Sequence, residues 1–115
     1  MEKKVQIFLS NCGISKKSKG FILEKQKLAK TITETKDFQK NLERYSALSN
    51  KKRLLIYNLI EKEKMCNCVL AQILNLTEGS VTHHTKILEN AGLIIGRKKG
   101  HFTIYYTPEN LKKII

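Results

Sequence analysis

The chain has 115 residues, 41% hydrophobic and 28% charged, which fits one compact folded domain and leaves little room for a second. It carries 22 Lys and Arg against 10 Asp and Glu, a formal net charge of +12. A chain so small and so basic is drawn to polyanions, nucleic acid first and anionic membrane second. No apolar run approaches the roughly 20 residues of a membrane span, and no carboxylate pair, activated nucleophile or phosphate-cradling loop marks an enzyme.

The excess charge is spread along the chain, with 11 basic and 5 acidic side chains in residues 1–44 and the same numbers in 45–115. Residues 1–20 read as a basic N-terminal arm. Val5, Ile7, Phe8 and Leu9 make an apolar stretch too short for a signal peptide. Lys16, Lys17 and Lys19 follow, between Gly13 and Gly20. Three cysteines, an odd number, argue against a disulfide framework and predict a reducing, cytoplasmic setting.

From residue 21 to 48, Phe21, Leu28, Ile32, Phe38, Leu42, Tyr45 and Leu48 recur at helical spacings and predict one or two helices with an apolar seam. Ser49 or Asn50 is an N-cap for a helix carrying Leu54, Leu55, Ile56, Leu59 and Ile60, which ends in the charged residues 61–64. Another helix begins near Asn67, carries Leu70, Ala71, Ile73 and Leu74, and stops at Asn75 and Leu76. Thr77 caps the next, which runs from 78 to about 90 and is closed by Gly92. Two short helices joined by a few residues form a helix-turn-helix.

The pattern then changes to strand at 93–95 and at 102–107, with Arg97, Lys98, Lys99, Gly100 and His101 as the turn. Pro108 opens a short last helix with Leu111, Ile114 and Ile115 apolar. The predicted class is mainly α with one β-hairpin, in the order α-α-α-α-β-β-α of a winged helix-turn-helix. Residues 21–115 would form this winged-helix DNA-binding domain.

On a helical wheel, Val81 and Leu88 share one direction, flanked by His84 and Thr85. Gly79, Thr82, His83, Lys86 and Asn90 lie opposite, a polar and partly cationic stripe of the kind a helix in a major groove presents. Ser80 sits at the helix N-terminus, where free amides favour phosphate. Arg97, Lys98 and Lys99 would reach the neighbouring DNA backbone or minor groove. The candidate DNA-binding set is therefore Ser80, Thr82, His83, Lys86, Asn90, Arg97, Lys98 and Lys99. His83 and His84 are adjacent and point about 100° apart, so they do not converge on one metal ion.

Cys66 and Cys68 fall where the helix before the recognition helix begins. A helix N-terminus favours thiolates, and thiolates select thiophilic ions such as arsenite, Cd(II), Pb(II) or Zn(II). In an ideal helix the two side chains point about 200° apart, so joint chelation requires a non-helical start. A disulfide switch, or two idle cysteines, is the other reading of the pair.

Tyr45 to Ser49, Arg53 with Leu54, Cys66–Cys68, Leu74 to Thr77, Val81 to His84, Lys86 to Leu93, and Gly100 with Tyr105 and Tyr106 together resemble the ArsR/SmtB family of metal-sensing repressors. The resemblance spans about residues 44–107. It implies a homodimer, joined through its first and last helices (here 21–45 and 108–115), that binds palindromic double-stranded operator DNA and is released by metal. It also identifies Cys66 and Cys68 with the family's metal box. The third cysteine often found three residues on is Ala71 here, which leaves Cys12 as the remaining thiol to complete a site. The family's second metal site, on the last helix, is not expected, because residues 108–115 contain no His or Asp. Lys51 stands where the family commonly has proline. A thiol-redox or constitutive regulator, or a winged-helix interaction module of a transcription assembly, is the alternative function.

Overall fold

A computed structural model of the chain describes residues 2–109. The elements are α1 (Glu2–Asn11), α2 (Ser18–Glu34), α3 (Lys36–Leu48), α4 (Lys51–Lys62), β1 (Met65–Cys66), α5 (Asn67–Leu74), α6 (Glu78–Asn90), β2 (Ile95–Lys99) and β3 (Phe102–Tyr106). They fall into two compact units, Met1–Gln39 and Lys40–Ile115.

In the first unit the segment read as an arm is largely helical. α1 ends in a Schellman turn: Gly13 takes φ +69°, its N–H bonds to Ser10 O, and the N–H of Ile14 reaches back to Leu9 O. α2 starts at Ser18, preceded by Lys17, which makes no side-chain cap. The cap comes from α1 instead, where Gln6 Oε1 accepts the Ser18 N–H at 3.0 Å. Lys16 pairs with Glu24 across the same junction at 2.8 Å. No residue of α2 is fully buried, and Ile22, Leu23, Leu28 and Ile32 are exposed on it. The apolar recurrence over 21–48 resolves into two helices, broken at Thr35.

The second unit is built around Ala47, Ile56, Ile60, Leu70, Ala71, Val81, Leu88, Ile94 and Tyr105. Asn50 caps α4, its side chain accepting the amides of Lys52 and Arg53. Arg53 Nε donates to Ala47 O at 2.8 Å and so ties the end of α3 to the start of α4. Asn75, at φ +53°, turns the chain left-handed after α5, and Thr77 Oγ1 accepts the Ser80 amide at 3.1 Å to start α6. Gly92 (φ +76°) closes α6, with Leu93 N–H bonding to Leu88 O.

The sheet has the order β1-β3-β2 and is antiparallel throughout. The expected hairpin is present, but its turn is tighter than the sequence pattern indicates. Arg97, Lys98 and Lys99 continue β2 opposite Ile104, Thr103 and Phe102, and Gly100 (φ +63°) makes the turn. β1 is an addition to the predicted order, pairing Met65 with Tyr105 and Cys66 with Ile104. The helix expected from Pro108 through Leu111, Ile114 and Ile115 lies outside the described residues beyond Glu109.

Candidate nucleic-acid interface

α6 has two unlike sides. Val81, His84, Thr85 and Leu88 are buried, whereas Gly79, Thr82, His83, Lys86 and Asn90 are exposed, the division that the helical wheel predicts. Ser80 is half-buried and its amide is committed to the Thr77 cap. The buried side is anchored to the sheet by a hydrogen bond between the Thr85 and Tyr105 hydroxyls at 3.3 Å. Thr85 Oγ1 also donates to Thr82 O at 3.1 Å. On the wing, Arg97, Lys98 and Lys99 are all exposed.

The two histidines of α6 differ in environment. His83 is exposed, and its ring lies 5.5 Å from that of His84. His84 is buried, and its Nδ1 has no hydrogen-bond partner among the described residues. Burial, and then the positive charges of Arg53, His83 and Lys52, hold its imidazole below the ordinary histidine value. Its surroundings therefore favour the neutral imidazole.

The thiols of Cys66 and Cys68 lie together, with Sγ···Sγ 2.6 Å. The angular objection from an ideal helix does not apply, because Cys66 is the extended N-cap of α5 (φ −94°, ψ 166°) and Cys68 is already helical. Burial resists ionisation of Cys66. The hydrogen bond from Cys68 and those from the backbone amides of Val69, Cys68 and Cys66 outweigh it, and its thiol is held below the usual cysteine value. The same sulfur contact, then burial and the charge on Cys66, push Cys68 the other way. Of the two, Cys66 is thus the more acidic thiol.

Two converging soft sulfurs, both part-exposed, match a thiophilic ion in donor chemistry. Among the described residues, no group of three His, Cys, Asp or Glu side chains comes together to hold a metal. Cys12 is exposed at the end of α1, in the first unit. Asn67, which the sequence pattern did not mark, donates from Nδ2 to Thr82 Oγ1 on α6 at 3.0 Å. Only its position between two cysteines at a helix start pointed to it.

A family model described as bacterial regulatory protein, arsR family, matches residues 50–95. The arsenical resistance operon repressor of Bacillus subtilis (strain 168) is 34% identical over 74 residues, covering 64% of this chain and 70% of the relative. An uncharacterized HTH-type transcriptional regulator of Methanocaldococcus jannaschii is 32% identical over 80 residues, 68% of this chain and 90% of that one. Among solved structures, a homodimeric winged helix-turn-helix DNA-binding domain from Mycobacterium bovis, a possible ArsR-family regulator, shares the fold at a TM-score of 0.59 and 19% identity, covering 66% of this chain and 71% of that chain.

Proposed function

This chain belongs to the arsR family of bacterial regulatory proteins, DNA-binding transcriptional regulators and not enzymes, and from that premise we propose that it is a homodimeric repressor induced through its cysteine pair. In this reading Thr82, His83, Lys86 and Asn90 face the bases of a double-stranded operator, with Ser80 at the helix start. Arg97, Lys98 and Lys99 hold the flanking phosphates. The observation that carries it is the division of α6 into a buried side pinned to the sheet and an exposed polar side. A rigidly mounted helix with a free hydrogen-bonding face is what base readout requires. The exposed apolar residues of α2, and the homodimeric state of the Mycobacterium bovis domain, support pairing of two copies.

The inducer is a thiophilic metal or metalloid, arsenite, Cd(II), Pb(II) or Zn(II), held by Cys66 and Cys68. What supports this is the sulfur proximity and the unequal acidity of the pair, together with the arsenical repressor among the relatives. Cys12 is proposed as a third thiolate. Cys66 and Cys68 would hold such an ion through their thiolates, and the ion would supply strong bonding to soft sulfur donors. The test is fluorescence anisotropy on DNA from upstream of the gene, with arsenite or Cd(II) added. Release by metal in the wild type, lost in Cys66→Ser and Cys68→Ser with metal-free affinity kept, is the expected result. Cys12→Ser decides the third ligand. The same proximity favours a second reading, a Cys66–Cys68 disulfide formed by peroxide. Release by peroxide and not by metal would put that reading first.

A further inference from the structure

Asn67 is the residue that the two cysteines flank, and it is the first of α5. Its side chain leaves that helix and reaches α6, donating from Nδ2 to Thr82 Oγ1 at 3.0 Å. The Thr82 hydroxyl has a single proton, which goes to the Glu78 carbonyl at 2.9 Å. Thr82 can therefore offer Asn67 only a lone pair, and this fixes the amide with its NH2 group toward α6. The other end of the amide, Oδ1, is buried and finds no hydrogen-bond partner among the described residues. Burying an unpartnered amide oxygen is a standing cost, and a group held that way calls for a reason. Thr82 itself lies on the exposed stripe of α6. One hydrogen bond thus runs from the residue between the thiols to the face proposed to read DNA.

We infer that Asn67 is the positioning residue that couples the thiol pair to α6: its bond to Thr82 holds the helix in the DNA-competent arrangement, and a ligand bridging Cys66 and Cys68 breaks that bond. The inference rests on the reading of this pair as the inducer site. The route is short. Cys66 is extended, Cys68 is helical, and only Asn67 lies between them. A ligand tying the two sulfurs constrains these backbones against each other. Cys66 is also held by its pairing with Ile104 on β3, so the adjustment falls on Asn67. A ligand shifts an equilibrium only through unequal affinity for the two states. A hydrogen bond present in one state and absent in the other supplies that inequality.

The test titrates cadmium chloride into the full chain bound to labelled upstream DNA. Thiol occupancy is followed independently by the ultraviolet thiolate-to-cadmium absorbance. Wild type, Asn67→Ala, Thr82→Val and the double variant are compared. All four are expected to take up cadmium equally. Cadmium should weaken wild-type DNA binding by about tenfold or more, and should weaken the variants by no more than about twofold, with the double variant no different from the singles. Thr82→Val weakens metal-free binding in its own right, so the readout is the ratio of affinities without and with cadmium. If Asn67 is merely structural, both affinities fall together and the ratio stays at the wild-type value, which overturns the inference and leaves the thiol reading standing. A wild type that takes up no cadmium, or takes it up and stays on DNA, overturns both. If Asn67→Ala does not fold, Thr82→Val decides the matter by the same ratio.

Discussion

Cys66 and Cys68 are the same residue type two positions apart, and the backbone makes them chemically unlike. The N-cap cysteine is the acidic thiol and its neighbour the reluctant one. Iodoacetamide near neutral pH should therefore label Cys66 ahead of Cys68, read by peptide mass spectrometry, since the thiolate is the attacking species. Equal rates would contradict the assignment. Two other residues separate reading from anchoring. His83→Ala should cost the operator about 1–3 kcal/mol and random DNA less, whereas Lys99→Ala should weaken both about equally. Anisotropy on the two DNAs measures each, and equal losses for His83→Ala would remove it from base readout. The sequence offers these residues as candidates because each is a polar or thiol group marked by local pattern: a helical stripe, a basic turn or a close cysteine pair. It did not identify Asn67, because the significance of Asn67 lies in a bond to a residue 15 positions away.

At the scale of elements, α6 was legible because a helix with one buried side writes that side into its spacing. The caps at Asn50 and Thr77 were legible because they act within three residues. α1 and β1 were not. α2 takes its cap from Gln6, 12 residues before Ser18, a signal no local pattern contains. β1 is two residues long and exists through pairing with Tyr105 and Ile104. In β2, neighbouring side chains close tightly over the backbone at Gly96. A Cβ at Gly96 would stand 3.0 Å from Tyr105 Cε1 and 3.2 Å from both Thr103 Cγ2 and Glu89 Oε2. Tyr105 is buried and bonded to Thr85, so its ring cannot swing clear without loosening α6. Gly96→Ala should destabilise by about 1–3 kcal/mol, as overpacking does, seen as a lower melting temperature. An unchanged melting temperature would show the wing more yielding than its packing indicates.

At the scale of the whole molecule, the charge of +12 makes DNA affinity depend steeply on salt. Each phosphate neutralised contributes about −0.9 to the slope of log affinity against log salt. A protein contacting several phosphates should show a slope of several units, and Lys99→Ala should reduce it by about one unit for each wing engaged. A slope near zero would remove DNA as the partner. Stability should depend on pH through His84. Its folded-state value is depressed, so the unfolded chain binds more protons in the window below about 6.5, and stability declines as pH falls through that window. His84→Gln should flatten the dependence of melting temperature on pH between about 7 and 5.

Among the described residues, the sheet order β1-β3-β2 leaves β2 paired on one side only, and the residues along it include Arg97, Lys98 and Lys99. A free edge is a template for another strand, and like charges along it keep two such edges apart. The residues proposed to hold phosphate should therefore also help to keep the protein dispersed when no DNA is bound. Replacing all three by threonine should leave the wing folded yet make the DNA-free protein self-associate, which light scattering at rising concentration would register. Crowded DNA-free protein is where solubility, and not affinity, would first reveal the loss of those charges.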